Sequence, residues 1–138
     1  MNAPAKLGQS IVRREDQRFL TGRGRYTDDT VPAGTLAVLF VRSPHAHARI
    51  AGIETAAALA SPGVAAVYTA SDLVADKVGH LPAISEIKDE AGNRHREPQH
   101  LPMPPGKVRH VGDIVAMVVA GTLDQARDAA ELLGVDYE

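Results

Sequence analysis

The sequence predicts a small α+β domain behind a basic arm. Its 138 residues are one ordinary domain's worth of polypeptide, enough to bury a single core. Three apolar stretches, at 34–43, 64–70 and 114–120, have the length and Val/Leu/Ile content of buried strands, and Gly, Pro or Ser punctuates them. Short helical patterns that begin on capping residues follow the last two. Hydrophobic residues make up 44% of the chain, which suits a globular fold, but aromatics only 4%, so the core must be built from Ala, Val, Leu and Ile.

The elements follow in order. "RREDQRFLTGRGRYTDD" (13–29) holds five arginines and four acids with no apolar period. It predicts an extended, turn-containing arm over residues 1–26, ahead of a body over 27–138. "GTLAVLFVRS" (34–43) predicts a buried strand, and "HARIAGIE" (47–54) a second. "TAAALA" (55–60) predicts a helix of one or two turns, capped by Thr55 and stopped at Ser61-Pro62-Gly63. "VAAVYTA" (64–70) predicts a third strand, and "SDLVADKV" (71–78) a short helix capped by Ser71. Residues 79–107 carry five prolines and three histidines without a sustained period, which predicts a long loop excursion. "VRHVGDIVAMVVAG" (108–121) predicts a strand pair or one bent strand, with Gly112-Asp113 as the corner.

"TLDQARDAAELL" (122–133) predicts a helix. Thr122 and Gln125 have the spacing of a capping box, in which each side chain takes the other residue's backbone N–H. Leu123, Ala126, Ala130 and Leu133 share the face expected to meet a sheet, with Gly134 closing the helix. "VDYE" begins a further strand, and the sequence ends inside it. "GVAAVYTASDLVAD" (63–76) and "DIVAMVVAGTLDQARD" (113–128) echo each other as strand followed by capped helix.

Composition narrows the chemistry. Residues 1–26 carry six basic side chains against two acids, a net +4, which leaves −6 for residues 27–138 of a chain whose total is −2. An acidic body with few aromatics argues against nucleic acid as a partner. The chain has no cysteine, so it offers no disulfide, thiolate metal site or Cys nucleophile. The N-terminal residues show no apolar leader, and the run at 114–120 is too short to span a bilayer, so a cytoplasmic protein is expected.

Single motifs yield little. Gly22 and Gly24 suggest a phosphate loop, but the third glycine of G-x-G-x-x-G is missing and no strand–helix context surrounds them. His45 and His47, two apart, could share one strand face toward a metal, but a third ligand at suitable spacing is not evident. Asp28-Asp29 and Asp89-Glu90 read as solvated turn acids, and no Ser–His–acid grouping is signalled.

Four blocks in order change the reading: "RREDQRFLTGRGRYTDD", "FVRSPHAHARI", "ALASPGVAAVYTASDL" and "VRHVGDIVAMVVAGTLDQARDAAELLGVDYE". Together they resemble the N-terminal segment of the molybdopterin-binding large subunits of the xanthine dehydrogenase and aldehyde oxidase family, with the carbon monoxide dehydrogenase large chain the nearest in character. The resemblance implies an α/β-hammerhead: a small mixed sheet with two or three short helices and an extended N-terminal arm. It implies a structural and assembly role, with this chain alone not catalytic. The full enzyme would oxidise substrate with oxygen from water at a molybdenum–pterin centre, passing electrons to [2Fe–2S] clusters and FAD on partner subunits or domains.

No cofactor is expected to bind this chain, and no catalytic, cofactor-binding or metal residue carries over to it. Its expected partners are the remainder of the large subunit and the iron–sulfur and FAD subunits. Candidate interface residues are Arg13, Arg14, Asp16, Arg18, Phe19, Arg23, Arg25, Tyr26, His45 and His47. A free-standing protein-binding adaptor and a small nucleotide-binding protein are the alternatives.

Overall fold

The fold is known from a computed structural model, which describes residue 8 and residues 12–82, 87–94 and 100–138. Lys6 of the arm and His95 of the excursion lie outside these residues. The chain divides into two compact units, Met1–Ala33 and Gly34–Glu138.

The described residues of the second unit form six strands: β1 (Ala37–Arg42), β2 (Ala48–Glu54), β3 (Val64–Thr69), β4 (Lys107–Val108), β5 (Ile114–Ala120) and β6 (Gly134–Tyr137). Among the described residues, the first unit holds α1 (Asp16–Leu20), and α2 (Ala56–Leu59), α3 (Ala70–Ala75) and α4 (Leu123–Glu131) belong to the second. The α+β class holds. The strands divide between two three-stranded sheets, ordered β1-β5-β3 and β4-β2-β6, and every pairing between them is antiparallel, where one small mixed sheet was expected.

Register assigns the two faces of the first sheet. Leu39, Val118 and Val67 form one cross-strand row, and Val41, Ala116 and Thr69 the next, on the inner face. Helix α4 lies over this face. Its Ala126 and Ala129 are fully buried against Val118 and Ala120 of β5 and Ala58 of α2. Alanines on both sides let the helix approach the sheet closely, which suits a core with few aromatics. Ala129 takes the place that the periodicity gave to Leu123, which stays 41% exposed on the first turn of α4. A second cluster, Ala48, Val108 and Val115, is surrounded by Ile50, Ile53, Val135 and Tyr137. Val41 packs against both clusters.

Residues 43–47 and 109–113 carry the chain between the two sheets. The segments flanking the Gly112-Asp113 corner are strands β4 and β5, and they lie in different sheets rather than pairing with each other. The Ser43 amide donates to the Asp113 carbonyl at 2.8 Å, and the Gly112 amide donates to the Ser43 carbonyl at 2.9 Å. The Asp113 carboxylate accepts from the amides of Arg109 (2.7 Å) and His110 (3.1 Å). Gly112, with φ of +92°, supplies the left-handed backbone that the corner needs.

The helix ends match the sequence in part. At α4 the box is present: the Gln125 amide donates to Thr122 Oγ1 at 3.2 Å, and the Thr122 amide to Gln125 Oε1 at 3.0 Å. At α3 the capping residue is Thr69, not Ser71; its amide (2.6 Å) and hydroxyl (2.9 Å) both donate to the Asp72 carboxylate. Thr69 wins because the carboxylate three residues on answers it, whereas Ser71 already lies within the helix. Thr55 precedes α2 without a side-chain cap. Gly134 does not close α4. The helix is capped at Leu132, and Gly134 opens β6 opposite Glu54. The excursion folds back on itself, with antiparallel bridges Leu81–His100 and Lys88–Arg94, and Met103 at its root is buried.

Thr122→Ala removes a satisfied cap and is expected to cost about 1 kcal/mol; an unchanged melting temperature would contradict the capping role. Two turn carboxylates make the fold acid-sensitive. Asp72 is held below the ordinary 3.8 by the Thr69 amide and hydroxyl. For Asp113, burial pushes the carboxyl up, but the amides of Arg109 and His110 and the charge of His110 together bring it below 3.8. Both folded values lie below the unfolded ones, so their stabilisation is complete above roughly pH 5 and fades as pH falls through the carboxylate range. The melting temperature is expected to drop below about pH 4, and Asp72→Asn with Asp113→Asn to flatten that acid limb. An unaltered acid limb in the double variant would show that other groups carry it.

Candidate functional site

The arm is not simply extended: α1 occupies Asp16–Leu20. It ends in a tight reversal in which the Arg23 amide donates to the Arg18 carbonyl at 2.9 Å and the Gly22 amide to the Phe19 carbonyl at 3.1 Å. Gly22 sits at φ +67°. This is the pattern of a helix C-terminus closed by a left-handed glycine. A helix of five residues shows no period, which is why the sequence read as extended. The same geometry disposes of the phosphate loop. Gly22 is a helix stop, and the next element beyond Gly24 is a single 3-10 turn at Thr27–Asp29 rather than an α-helix N-terminus.

Gly24 serves the aromatics. Phe19 and Tyr26 stack with centroids 5.9 Å apart and planes at 21°. A Cβ at residue 24 would lie 3.0 Å from Phe19 Cδ1 and 3.3 Å from Tyr26 Cε2. The Arg18 guanidinium lies 5.0 Å from the Phe19 ring centre. Arg14, Gln17, Arg18 and Arg23 line a shallow hollow of about 500 Å³. Arg13 and Arg25 are exposed, and Asp16 is half-buried in the first turn of α1, where its charge complements the helix dipole. The arm therefore gathers arginines and two aromatics at one exposed place. Asp29 of the acidic pair takes the Tyr26 amide at 2.9 Å, which is turn work rather than proton transfer.

In the second unit, His45 and His47 sit in the β1–β2 connection rather than on a strand, so the shared-face argument fails. The His45 ring packs on Tyr137 at 4.6 Å between centroids, and its amide donates to Ser43 Oγ at 3.0 Å. His47 is exposed. Among the described residues, no three His, Asp or Glu side chains converge as a metal-binding group. The buried polar side chain is Ser43, whose hydroxyl is committed to the His45 turn. Asp89 likewise holds the amide and side chain of Asn93 in a hairpin tip. A cleft of about 650 Å³ separates β2 from β3 and α3, and its lining mixes apolar Ile50, Ile53, Val67 and Val74 with polar Thr55, Thr69, Ser71 and Asp72.

The sequence matches the aldehyde oxidase and xanthine dehydrogenase a/b hammerhead domain over residues 21–138. The chain belongs to that family. Its hammerhead is 43% identical over 133 residues to the carbon monoxide dehydrogenase large chain of Afipia carboxidovorans, covering 96% of this chain and 15% of the relative. It is 39% identical over 133 residues to the nicotine 6-hydroxylase large subunit of Paenarthrobacter nicotinovorans, with the same coverage of 96% and 15%. Quinoline 2-oxidoreductase from Pseudomonas putida 86 superposes with a TM-score of 0.82 at 41% identity, over 95% of this chain and 16% of that one. The hammerhead chain thus spans about one-sixth or less of the length of the relatives it matches.

Among the described residues no His, Asp or Glu set converges on a point and the buried Ser43 hydroxyl is hydrogen-bonded within its own turn, so none is assigned to a molybdenum–pterin centre. No chemical step through such a centre is derived from this chain. Sequence reading also missed a surface. Phe40, Met117 and Tyr68 form one row on the outer face of the first sheet, and Val38, Val119 and Ala66 the next. The signal was the unbroken apolar run of β5. Gly24→Val is expected to separate Phe19 from Tyr26, read as loss of their mutual ring-current shifts by NMR. Shifts unchanged from the parent would mean that the stack does not depend on the glycine.

Proposed function

We propose that this hammerhead is a packing and assembly domain of a molybdenum hydroxylase large subunit, with the redox chemistry carried by the rest of that enzyme. The observation behind the proposal is the agreement of nearly the whole chain, in sequence and in fold, with one domain of large subunits from such enzymes. In this reading the complete enzyme holds molybdopterin in the larger portion of the subunit, and [2Fe–2S] clusters and FAD on partner subunits or domains. It works in the cytoplasm and oxidises its substrate with oxygen from water.

The arm is the first contact. Arg13, Arg14, Arg18, Arg23 and Arg25 supply paired donors, and Phe19 and Tyr26 supply rigid apolar area, a combination enriched at interface hot spots. Asp16 fixes the first turn of α1, and His45 and His47 are separate candidate contacts on the second unit. Because the body carries its own two core clusters, it folds without the arm.

Deleting residues 1–26 is expected to leave the melting transition of the body in place and to weaken its association with a co-expressed large-subunit remainder. Undiminished association would remove the arm from the interface. Molybdenum, pterin absorbance and aldehyde oxidation in the purified chain alone would overturn the assembly reading as a whole.

A further inference from the structure

The outer face of the first sheet holds the strongest unclaimed signal. Strand β5 sits between β1 and β3, and its inner residues Val118 and Ala120 are buried beneath α4. Met117 and Val119 point the opposite way, each between two neighbours: Phe40 and Tyr68 flank Met117, and Val38 and Ala66 flank Val119. No member of these two rows carries a formal charge. Phe40, Val38 and Tyr68 keep 44%, 43% and 37% of their surface exposed.

An antiparallel sheet with one face in water alternates apolar and polar residues, whereas a strand covered on both sides reads as a continuous apolar run. "IVAMVVA" at 114–120 is the second pattern. Helices α2 and α4 account for one cover only, through Ala58, Ala126 and Ala129 on the inner side. The pattern of β5 therefore calls for a second cover on the outer side.

We propose that this outer face, centred on Phe40, Met117 and Tyr68, seats the hammerhead against an apolar folded surface of the remaining large-subunit polypeptide. The inference rests on the assembly reading above and names the surface that performs it. Three observations select this occupant. In these relatives the matching segment is 15–16% of the chain, so there the domain has a large covalent neighbour. Within one polypeptide a small face suffices, because the linker holds the effective concentration high; a free dimer needs about 800 Å² per partner. Finally, two rows without a charged side chain, edged by the basic Arg42, on a body of net −6 from 27 to 138, suit neither anionic lipid nor nucleic acid. Arg42 supplies a polar rim, with its guanidinium 6.0 Å from the Phe40 ring centre and Nη1 donating to the Gly112 carbonyl at 2.8 Å.

The test uses a full-length chimera in which this chain replaces the matching segment of the carbon monoxide dehydrogenase large chain. Phe40→Asp is compared with the parent and with Val111→Asp, an exposed apolar residue at the corner. Isolated chains are checked first by thermal melting and sedimentation, where parent and both variants are expected to be folded monomers. Phe40→Ala removes the aromatic anchor without a charge and gives a second reading should aspartate disturb the fold. The expected result is at least a tenfold lower yield of protease-resistant chimera for Phe40→Asp, with Val111→Asp matching the parent. A parent chimera that assembles together with equally assembled Phe40→Asp and Phe40→Ala overturns the face and leaves the assembly reading standing. A parent chimera that fails to assemble overturns both. A dimer of the isolated chain that Phe40→Asp dissolves assigns the face to a second copy and overturns the proposal.

Discussion

The architecture of the second unit depends on two peptide hydrogen bonds between Ser43 and the Gly112-Asp113 corner. The chain crosses between its sheets at both places. The other connections between the sheets run through α2, α4, or α3 and the 79–107 excursion, so these two short crossings are the ones that meet directly. Because the Ser43 amide and carbonyl are answered by Asp113 and Gly112, the crossings form one rigid joint. Burial explains why the joint holds: Ser43 is 2% exposed, so unpaired backbone groups there would carry a full desolvation penalty. Asp113 then braces the joint from outside by gathering the amides of Arg109 and His110.

Strand β5 carries that joint into the core. A register shift against β1 between Val41 and Arg42 leaves Val115 beside Ala116, so two successive residues are buried instead of alternating. Val115 feeds the cluster under the second sheet, while Val118 and Ala120 feed the cluster under α4. One strand thus serves two cores, and Val41 links them from the neighbouring strand.

Local chemistry was legible in the sequence wherever one short-range interaction decided the outcome. The Thr122–Gln125 box, the strands around 37–42, 64–69 and 114–120, and the turn at Ser61-Pro62-Gly63 are of this kind. Three capping details were not legible: Thr55 heads α2 without a side-chain cap, and competition settled the other two. Thr69 displaces Ser71 through the Asp72 carboxylate, and Leu132 ends α4 before Gly134 is reached. Helix α1 escaped notice because five residues are too few to display a period. The split into two sheets is a long-range choice of partners that no window of residues contains. The outer sheet face was written plainly in "IVAMVVA", but it acquired meaning only once register showed which neighbours stand beside Met117 and Val119.

The pairing of β1 with β5 joins residues 37–42 to 114–120, with the 79–107 excursion between them. Closing a longer loop costs little more than closing a shorter one, about 0.6 kcal/mol for each doubling in length. The excursion can therefore lengthen or shorten across evolution with small thermodynamic consequence, so long as its ends still deliver β4 and β5. The kinetic consequence is larger. During synthesis β1 and β3 have no sheet partner until β5 emerges, so the nascent chain holds Phe40, Tyr68 and their neighbours unpaired while some fifty further residues are made. A domain built around its late central strand can pair its first and third strands only after that strand arrives.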